Sequence, residues 1–252
     1  MNIPELRIIG IPGIPAITPG DDLVALMLQA AAAAQLTFED GDILVVTQKI
    51  VSKAEGCLIA LSDITPTPFA EAYARQWDKD PRSVEVVLRQ SRRIAKMDRG
   101  MIIAETHHGF ICANAGVDQS NMAGSDIVAV LPPDPDASAR AIRQGLKTRL
   151  GRDIAVIISD TFGRPWRAGL VNVAIGLAGI EAIRDYNGLR DANGYELRVT
   201  TLAVADELAA AAELVMNKLD QVPVALIRGY AYPRGEGSLS QLMRDPASDL
   251  FR

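Results

Sequence analysis

Val156-Ile157-Ile158-Ser159-Asp160-Thr161-Phe162-Gly163-Arg164-Pro165-Trp166-Arg167 opens with an apolar run that Ile154 and Ala155 lead into. An uninterrupted apolar run bounded by turn formers predicts a strand buried on both faces. Asp160 and Thr161 are expected at the C-terminal end of that strand, with Gly163 and Pro165 stopping any regular element. An acid held there meets a metal ion or substrate in a fixed geometry. Its carboxylate and the neighbouring hydroxyl suit a hard cation, and Arg164 and Arg167 suit phosphate or carboxylate. Taken alone, the stretch also fits a turn-capping acid followed by solvent-facing arginines.

Similar strands are expected on either side. Ile43 to Val46 is a second buried run, ending in Thr47-Gln48-Lys49-Ile50-Val51-Ser52-Lys53-Ala54-Glu55-Gly56. Polar side chains and two lysines just after a strand suit a phosphate or nucleotide site, or a solvated edge. Were the stretch extended, Lys49 and Lys53 would share a face. Leu6 to Gly10 is a short strand running into Ile11-Pro12-Gly13-Ile14-Pro15, and Pro223 to Gly229 is a late one. Asp21 or Asp22 can cap a helix starting at Leu23, Asp136 a helix from Ala137 to Leu150, and Asp206-Glu207 open an Ala-rich helix.

Met101 to Thr106 and Gly109 to Cys112 read as a hairpin with His107-His108 at its turn. Adjacent strand side chains point to opposite faces, so these histidines make poor joint metal ligands. After the hairpin, Asp118 stands in Ala115-Gly116-Val117-Asp118-Gln119-Ser120-Asn121. A second hard-oxygen site beyond an apolar strand is what a two-cation phosphate clamp needs. Arg89, Arg92, Arg93, Lys96 and Arg99 make the most basic stretch, read as a solvated face. The small-residue run within Leu170 to Ile180 is suited to close packing.

Composition narrows the classes. The 252 residues carry a net charge of −5, against a general nucleic-acid binder. Hydrophobic residues make up 48% but aromatics only 5%, so the core is aliphatic. Two cysteines, Cys57 and Cys112, are too few for a disulfide scaffold and fit a reducing cytoplasm. There is no signal-peptide pattern, no membrane-length apolar run and no G-x-x-x-x-G-K-[ST] motif.

Taken in order, these segments resemble the coenzyme F420-0:γ-glutamyl ligase family over nearly the whole chain. Those carrying the match are Ile11-Pro12 with Pro19-Gly20-Asp21-Asp22-Leu23, Val46 to Gly56, Ala115 to Asn121, Ser159 to Arg167, Ala205-Asp206-Glu207 and Asp249-Leu250-Phe251. The resemblance implies a distinctive α/β (mixed α+β) fold with mixed sheets, neither P-loop nor Rossmann. It implies one stand-alone ligase module over residues 1–252, open to division into two intertwined subdomains. The implied activity is GTP-dependent addition of L-glutamate to F420-0, then further γ-linked glutamates onto F420-1. Two divalent cations (Mg2+ or Mn2+), stimulation by K+ and a homodimer come with it.

Position by position, the resemblance makes Asp118, Asp160 and Thr161 metal ligands. It makes Ile11, Pro12, Gly13, Ile14, Gln48, Lys53 and Asn121 nucleotide contacts. Catalysis falls to Lys53, Asp118 and Asp160, and Lys53 rather than Lys49 becomes the phosphate lysine. Gln48 replaces a serine common in relatives, and Asn217-Lys218 departs from the Gly-Gln or Gly-Lys expected there. No protein nucleophile is required, because phosphorylation by GTP activates the carboxylate. A two-metal phosphohydrolase and a non-enzymatic GTP-binding regulator are the competing readings.

Overall fold

The computed structural model describes residues 3–119, 126–245 and 247–249. In chain order the elements are β1 (Arg7–Gly10), α1 (Leu23–Ala33), β2 (Ile43–Thr47), α2 (Gln48–Ala54), β3 (Leu58–Ala60), α3 (Pro68–Trp77), α4 (Pro81–Arg89), β4 (Ser91–Asp98), β5 (Met101–Thr106) and β6 (Ile111–Ala113). There follow β7 (Ile127–Ala129), α5 (Pro135–Leu150), β8 (Ala155–Arg164), β9 (Arg167–Ala178), β10 (Arg184–Asp185), β11 (Thr201–Leu202), α6 (Val204–Met216) and β12 (Val224–Arg228).

The two apolar runs singled out in the sequence lie side by side. β2 and β8 pair in parallel, Leu44 opposite Val156 and Val46 opposite Ile158. They sit within a five-stranded sheet of order β1-β12-β2-β8-β9, whose other pairings are antiparallel. Alternation along the strands sends successive side chains to opposite faces. Leu44, Val46, Val156 and Ile158 pack under α1 and α5 with Met27, Ile142 and Leu146. Ile43, Val45, Ala155 and Ile157 pack under α6 with Leu208, Ala212 and Met216. Helices on both faces explain why neither run alternates with polar residues. Each large aliphatic side chain buried this way contributes roughly 1.5–3 kcal/mol.

A smaller core joins α3, α4 and the antiparallel sheet β4-β5-β6 through Ala70, Ala74, Val84, Val87, Ile102 and Ala104. Two-stranded pairings β3-β7 and β10-β11 complete the sheets. This mixed α/β architecture is neither a Rossmann nor a P-loop arrangement, in agreement with the sequence. Among the described residues no helix is long and apolar enough to cross a membrane.

Several local expectations are corrected. β8 does not stop at Asp160 or Gly163 but runs to Arg164, and β9 returns beside it as a long hairpin. Cross-strand pairing with β9 satisfies the backbone beyond Ile158, which overrides the glycine. The stretch after β2 is the helix α2, not an extended edge, and Lys49 and Lys53 share a face as helical i, i+4 neighbours. Asp134, not Asp136, caps α5 by accepting from Ala137 N at 2.8 Å. Pro135 takes the first helical position, where its missing N–H costs nothing. Asp136 instead accepts from Leu177 N at 2.8 Å and ties α5 to β9. Asp206 likewise accepts from Ala174 N at 2.9 Å rather than capping α6. The segment 199–204 contributes only the two-residue strand β11, because Val204 already begins α6.

The Leu170 to Ile180 run does pack closely. A Cβ on Gly176 would lie 2.4 Å from Pro135 O, a backbone atom that cannot move aside cheaply. Gly176→Ala should therefore separate α5 from β9 and lower stability by about 2–4 kcal/mol. Urea unfolding is the measurement, and a loss under 1 kcal/mol would mean that the α5–β9 contact yields easily.

Candidate active site

The parallel pair delivers its C-terminal ends to a cavity of about 420 Å³. Ligands in open α/β sheets collect at this end of parallel strands. Thr47 and Ser159, register partners at the tips of the pair, both line it. Just beyond Ile158 a register shift skips Ile175 on β9, so Ser159 faces Ala174 and Asp160 faces Val173. Such bulges re-aim side chains beside functional sites.

Asp118 reaches the cavity from the second core. Its backbone is fixed by reciprocal bonds with Ala129, Asp118 N to Ala129 O at 2.9 Å and Ala129 N to Asp118 O at 2.8 Å. Asn114, Ala115 and Gly116, all with positive φ, turn the chain towards it. Gly116 is needed there, since a Cβ would meet Leu131 at 2.9 Å. The carboxylate of Asp118 pairs with Lys49 Nζ at 2.8 Å. Asp160 accepts from Thr161 N at 2.8 Å. Burial, with a smaller push from the negative charge of Asp118, nevertheless raises the Asp160 carboxyl to about 6. Burial above all, and Asp160 secondarily, pushes the nearby Cys112 thiol up to about 12, so this cysteine stays neutral.

A second cluster faces α6. Thr161 Oγ1 donates to Asn172 Oδ1 at 2.7 Å, and Asn172 Nδ2 donates to Glu213 Oε2 at 2.7 Å. Lys218 Nζ donates to Thr161 Oγ1 at 2.7 Å and pairs with Glu213 Oε1 at 2.7 Å. Asn172, Glu213 and Lys218 were not foreseen. Asn172 is a polar residue inside the apolar strand Val171-Asn172-Val173, a pattern that marks a buried polar contact. For Glu213 the helical sequence holds no comparable signal.

Of the residues expected from the sequence, Gln48, Asp118, Asp160 and Thr161 all line the cavity. Gln48 is buried and spends its amide N–H on Ser52 Oγ at 2.5 Å. Lys49, set aside on the resemblance, lines the cavity; Lys53 stands one helical turn further along, outside the lining. Ile11 is buried in the main core, with its N–H donating to Val224 O at 2.9 Å. Pro12 and Gly13 are exposed and Ile14 half-buried, and none of Ile11, Pro12, Gly13 and Ile14 lines the cavity. Asn121 lies outside the described residues. Arg164, Trp166 and Arg167 stand at the exposed tip of the β8–β9 hairpin rather than in the cavity. His107 and His108 are turn residues bonded to the backbone oxygens of Arg89 and Pro132. Arg92 and Arg93 pair with Glu105 on β5, as a solvated basic face would.

The profile of the F420-0:Gamma-glutamyl ligase family matches residues 13–229. The chain belongs to this family. It is 46% identical to the coenzyme F420:L-glutamate ligase of Methanothermobacter thermautotrophicus, over 98% of this chain and 99% of that one. Identity to the ligase of the same name from Methanopyrus kandleri is 45%, over 100% and 99% of the two chains. For that of Methanocaldococcus jannaschii it is 44%, over 87% and 88%. Membership makes the protein an enzyme, an amide-bond-forming ligase.

The family resemblance implies divalent cations, and the Asp118–Asp160 pair fits one. Burial and mutual repulsion penalise the Asp160 anion, and a cation would relieve both. Ser159 Oγ, also buried at the cavity, has no hydrogen-bond partner among the described residues. No group of three His, Cys, Asp or Glu side chains converges among the described residues. Two carboxylates completed by water and substrate phosphates are the usual Mg2+ arrangement.

The shift of Asp160 has a stability consequence. Because its pKa is raised on folding, its contribution is full at low pH and lost as pH rises through about 6. Asp160→Asn keeps the acceptor for Thr161 N and removes the charge. In metal-free protein it should add about 1–2 kcal/mol at pH 7.5, discounted for water in the cavity, and almost nothing at pH 4. Thermal unfolding at the two pH values checks this; equal effects at both would dissociate the shift from folding.

Proposed function

We propose that this protein joins L-glutamate to F420-0 at the expense of GTP, and then adds further γ-linked glutamates to F420-1. The observation that carries the reading is the cavity itself. In a chain of the F420-0:gamma-glutamyl ligase family, it gathers two acids from separate cores around a lysine at the ends of parallel strands.

A carboxylate is a poor electrophile for an amine. Attack of the F420-0 carboxylate on the γ-phosphorus of GTP releases GDP and leaves an acyl phosphate. The glutamate nitrogen then attacks the acyl carbon, inorganic phosphate leaves, and the amine gives up a proton as the amide forms. A divalent cation, Mg2+ or Mn2+, supplies charge neutralisation to the phosphates when bound, and Asp118 and Asp160 would hold it. Lys49, at the cavity beside Asp118, would offer its ammonium to the transferring phosphoryl group. Lys53, further along α2, contacts the phosphate tail together with the Ile11 to Ile14 loop and Asn121. Water would hydrolyse the acyl phosphate, so the glutamate amine has to reach it first. Stimulation by K+, a cytoplasmic location and a homodimer belong to the same reading. Trp166 and Leu170, 81% and 69% exposed, offer an apolar surface for the second copy.

Mass spectrometry of F420-0 incubated with the protein, L-glutamate, Mg2+ or Mn2+ and GTP tests the activity. Addition of glutamyl units with GTP and not with ATP is expected. Phosphate release that needs no glutamate would instead mark a phosphohydrolase. Asp118→Asn and Asp160→Asn should each abolish product while leaving the circular dichroism spectrum unchanged.

The two lysines separate kinetically. A hydrogen bond to a charged group is worth about 1.5–3 kcal/mol, so each loss costs roughly tenfold or more. Lys49→Met is expected to lower kcat, and Lys53→Met to raise the KM for GTP. A Lys53→Met enzyme with unchanged KM would remove Lys53 from the nucleotide site. Sedimentation equilibrium should give a dimer, and a monomer at micromolar concentration would refute that part.

A further inference from the structure

We infer that Lys218 is a built-in cation, and that this protein binds one divalent ion per chain in place of the two its family resemblance implies. The inference rests on the preceding reading of Asp118 and Asp160 as a cation site.

Thr161 is the third metal ligand that the resemblance implies, the one left for a further ion when Asp118 and Asp160 hold the first, and its hydroxyl is already engaged. A hydroxyl has one proton and two lone pairs. The proton goes to Asn172 Oδ1 at 2.7 Å, and the Lys218 ammonium occupies one lone pair at 2.7 Å. Metal–oxygen bonds for Mg2+ are about 2.0–2.1 Å, so an ion on the remaining lone pair would lie less than about 5 Å from the ammonium. Two positive centres at that distance require a counter-charge. Glu213 is the acid on this side of the cavity, and Lys218 already neutralises it at 2.7 Å. Asn172 also holds Glu213 Oε2 at 2.7 Å, so both carboxylate oxygens have partners.

Strand geometry separates the two clusters. Successive side chains on β8 point to opposite faces, so Thr161 stands with Asn172 and α6 while Asp160 stands towards Asp118. The Asp118–Asp160 side has two carboxylates facing the ammonium of Lys49 and, across the cavity, the charge of Lys218, which is itself paired with Glu213; that side suits one divalent ion. On the Thr161 side the balance is closed by Lys218. An ammonium and a metal ion can serve the same purpose, offering positive charge to phosphate oxygens, but Lys218 cannot be removed by chelation.

Counting bound Mn2+ by electron paramagnetic resonance of the free ion tests this, with the full chain saturated with guanylyl imidodiphosphate. One Mn2+ per chain is expected in the unaltered protein. Lys218→Gln exchanges the ammonium for an amide oxygen and frees Glu213, and should raise the count to two; Lys218→Ala should do the same with weaker affinity for the second ion. Lys218 lies at the rim with its side chain 57% exposed, so neither change threatens folding. Two Mn2+ in the unaltered protein would overturn the inference and leave the Asp118–Asp160 site standing. A count that stays at one in both variants would also overturn it. No bound Mn2+ in any of the three would overturn both the inference and the cation site on which it rests.

Discussion

The parallel contact between β2 and β8 is the constraint on which the remainder of this molecule depends. A strand in the middle of a sheet satisfies its backbone on both sides, so these two runs need no water and can be apolar on both faces. Their side chains then demand cover from two directions, supplied by α1 and α5 on one face and α6 on the other. Because the pair is parallel, both strands end on the same side of the sheet. The polar residues following each run are thereby brought together, although more than a hundred positions separate them in the chain.

That convergence places charges where solvation is poor, and the site is frustrated as a result. Asp160 carries a carboxyl that burial and Asp118 both disfavour as an anion. Lys49 offsets Asp118, while Thr161, Asn172, Glu213 and Lys218 are bonded to one another on the α6 side, from which the charge of Lys218 also reaches Asp160. A folded chain that holds such an arrangement gives up stability which ligand binding can recover. The cavity thus has one side that is electrostatically incomplete and one that is complete. A ligand bearing compensating charge has a reason to settle on the first.

The sequence did foretell much of this frame. The buried runs at Ile43 and Val156, the helix beginning at Leu23, the hairpin around His107-His108 and the close packing of the small-residue segment all follow from local periodicity and turn chemistry. The hairpin extension of β8 did not, because its stability comes from β9 and a glycine gives no hint of a partner strand. Asp136 departs from local expectation for a similar reason. It stands at a helix start, as a cap should, yet its carboxylate is drawn away by the backbone of β9.

For the site, the residues around Asp118 and Asp160 were recognisable because acids placed just beyond apolar strands are unusual, and because their order along the chain resembles one family. Which lysine enters the cavity was not recognisable, since Lys49 and Lys53 share a face in either an extended or a helical conformation. The tertiary structure chose Lys49 by setting Asp118, from the other core, 2.8 Å from its ammonium. It also brought Lys218 onto Thr161, a contact between positions 57 residues apart that no local pattern encodes. By itself, the sequence determined which segments must be buried and which kinds of side chain end them. The distances between those side chains, and so the balance of charge in the cavity, were decided by how the two cores close on each other.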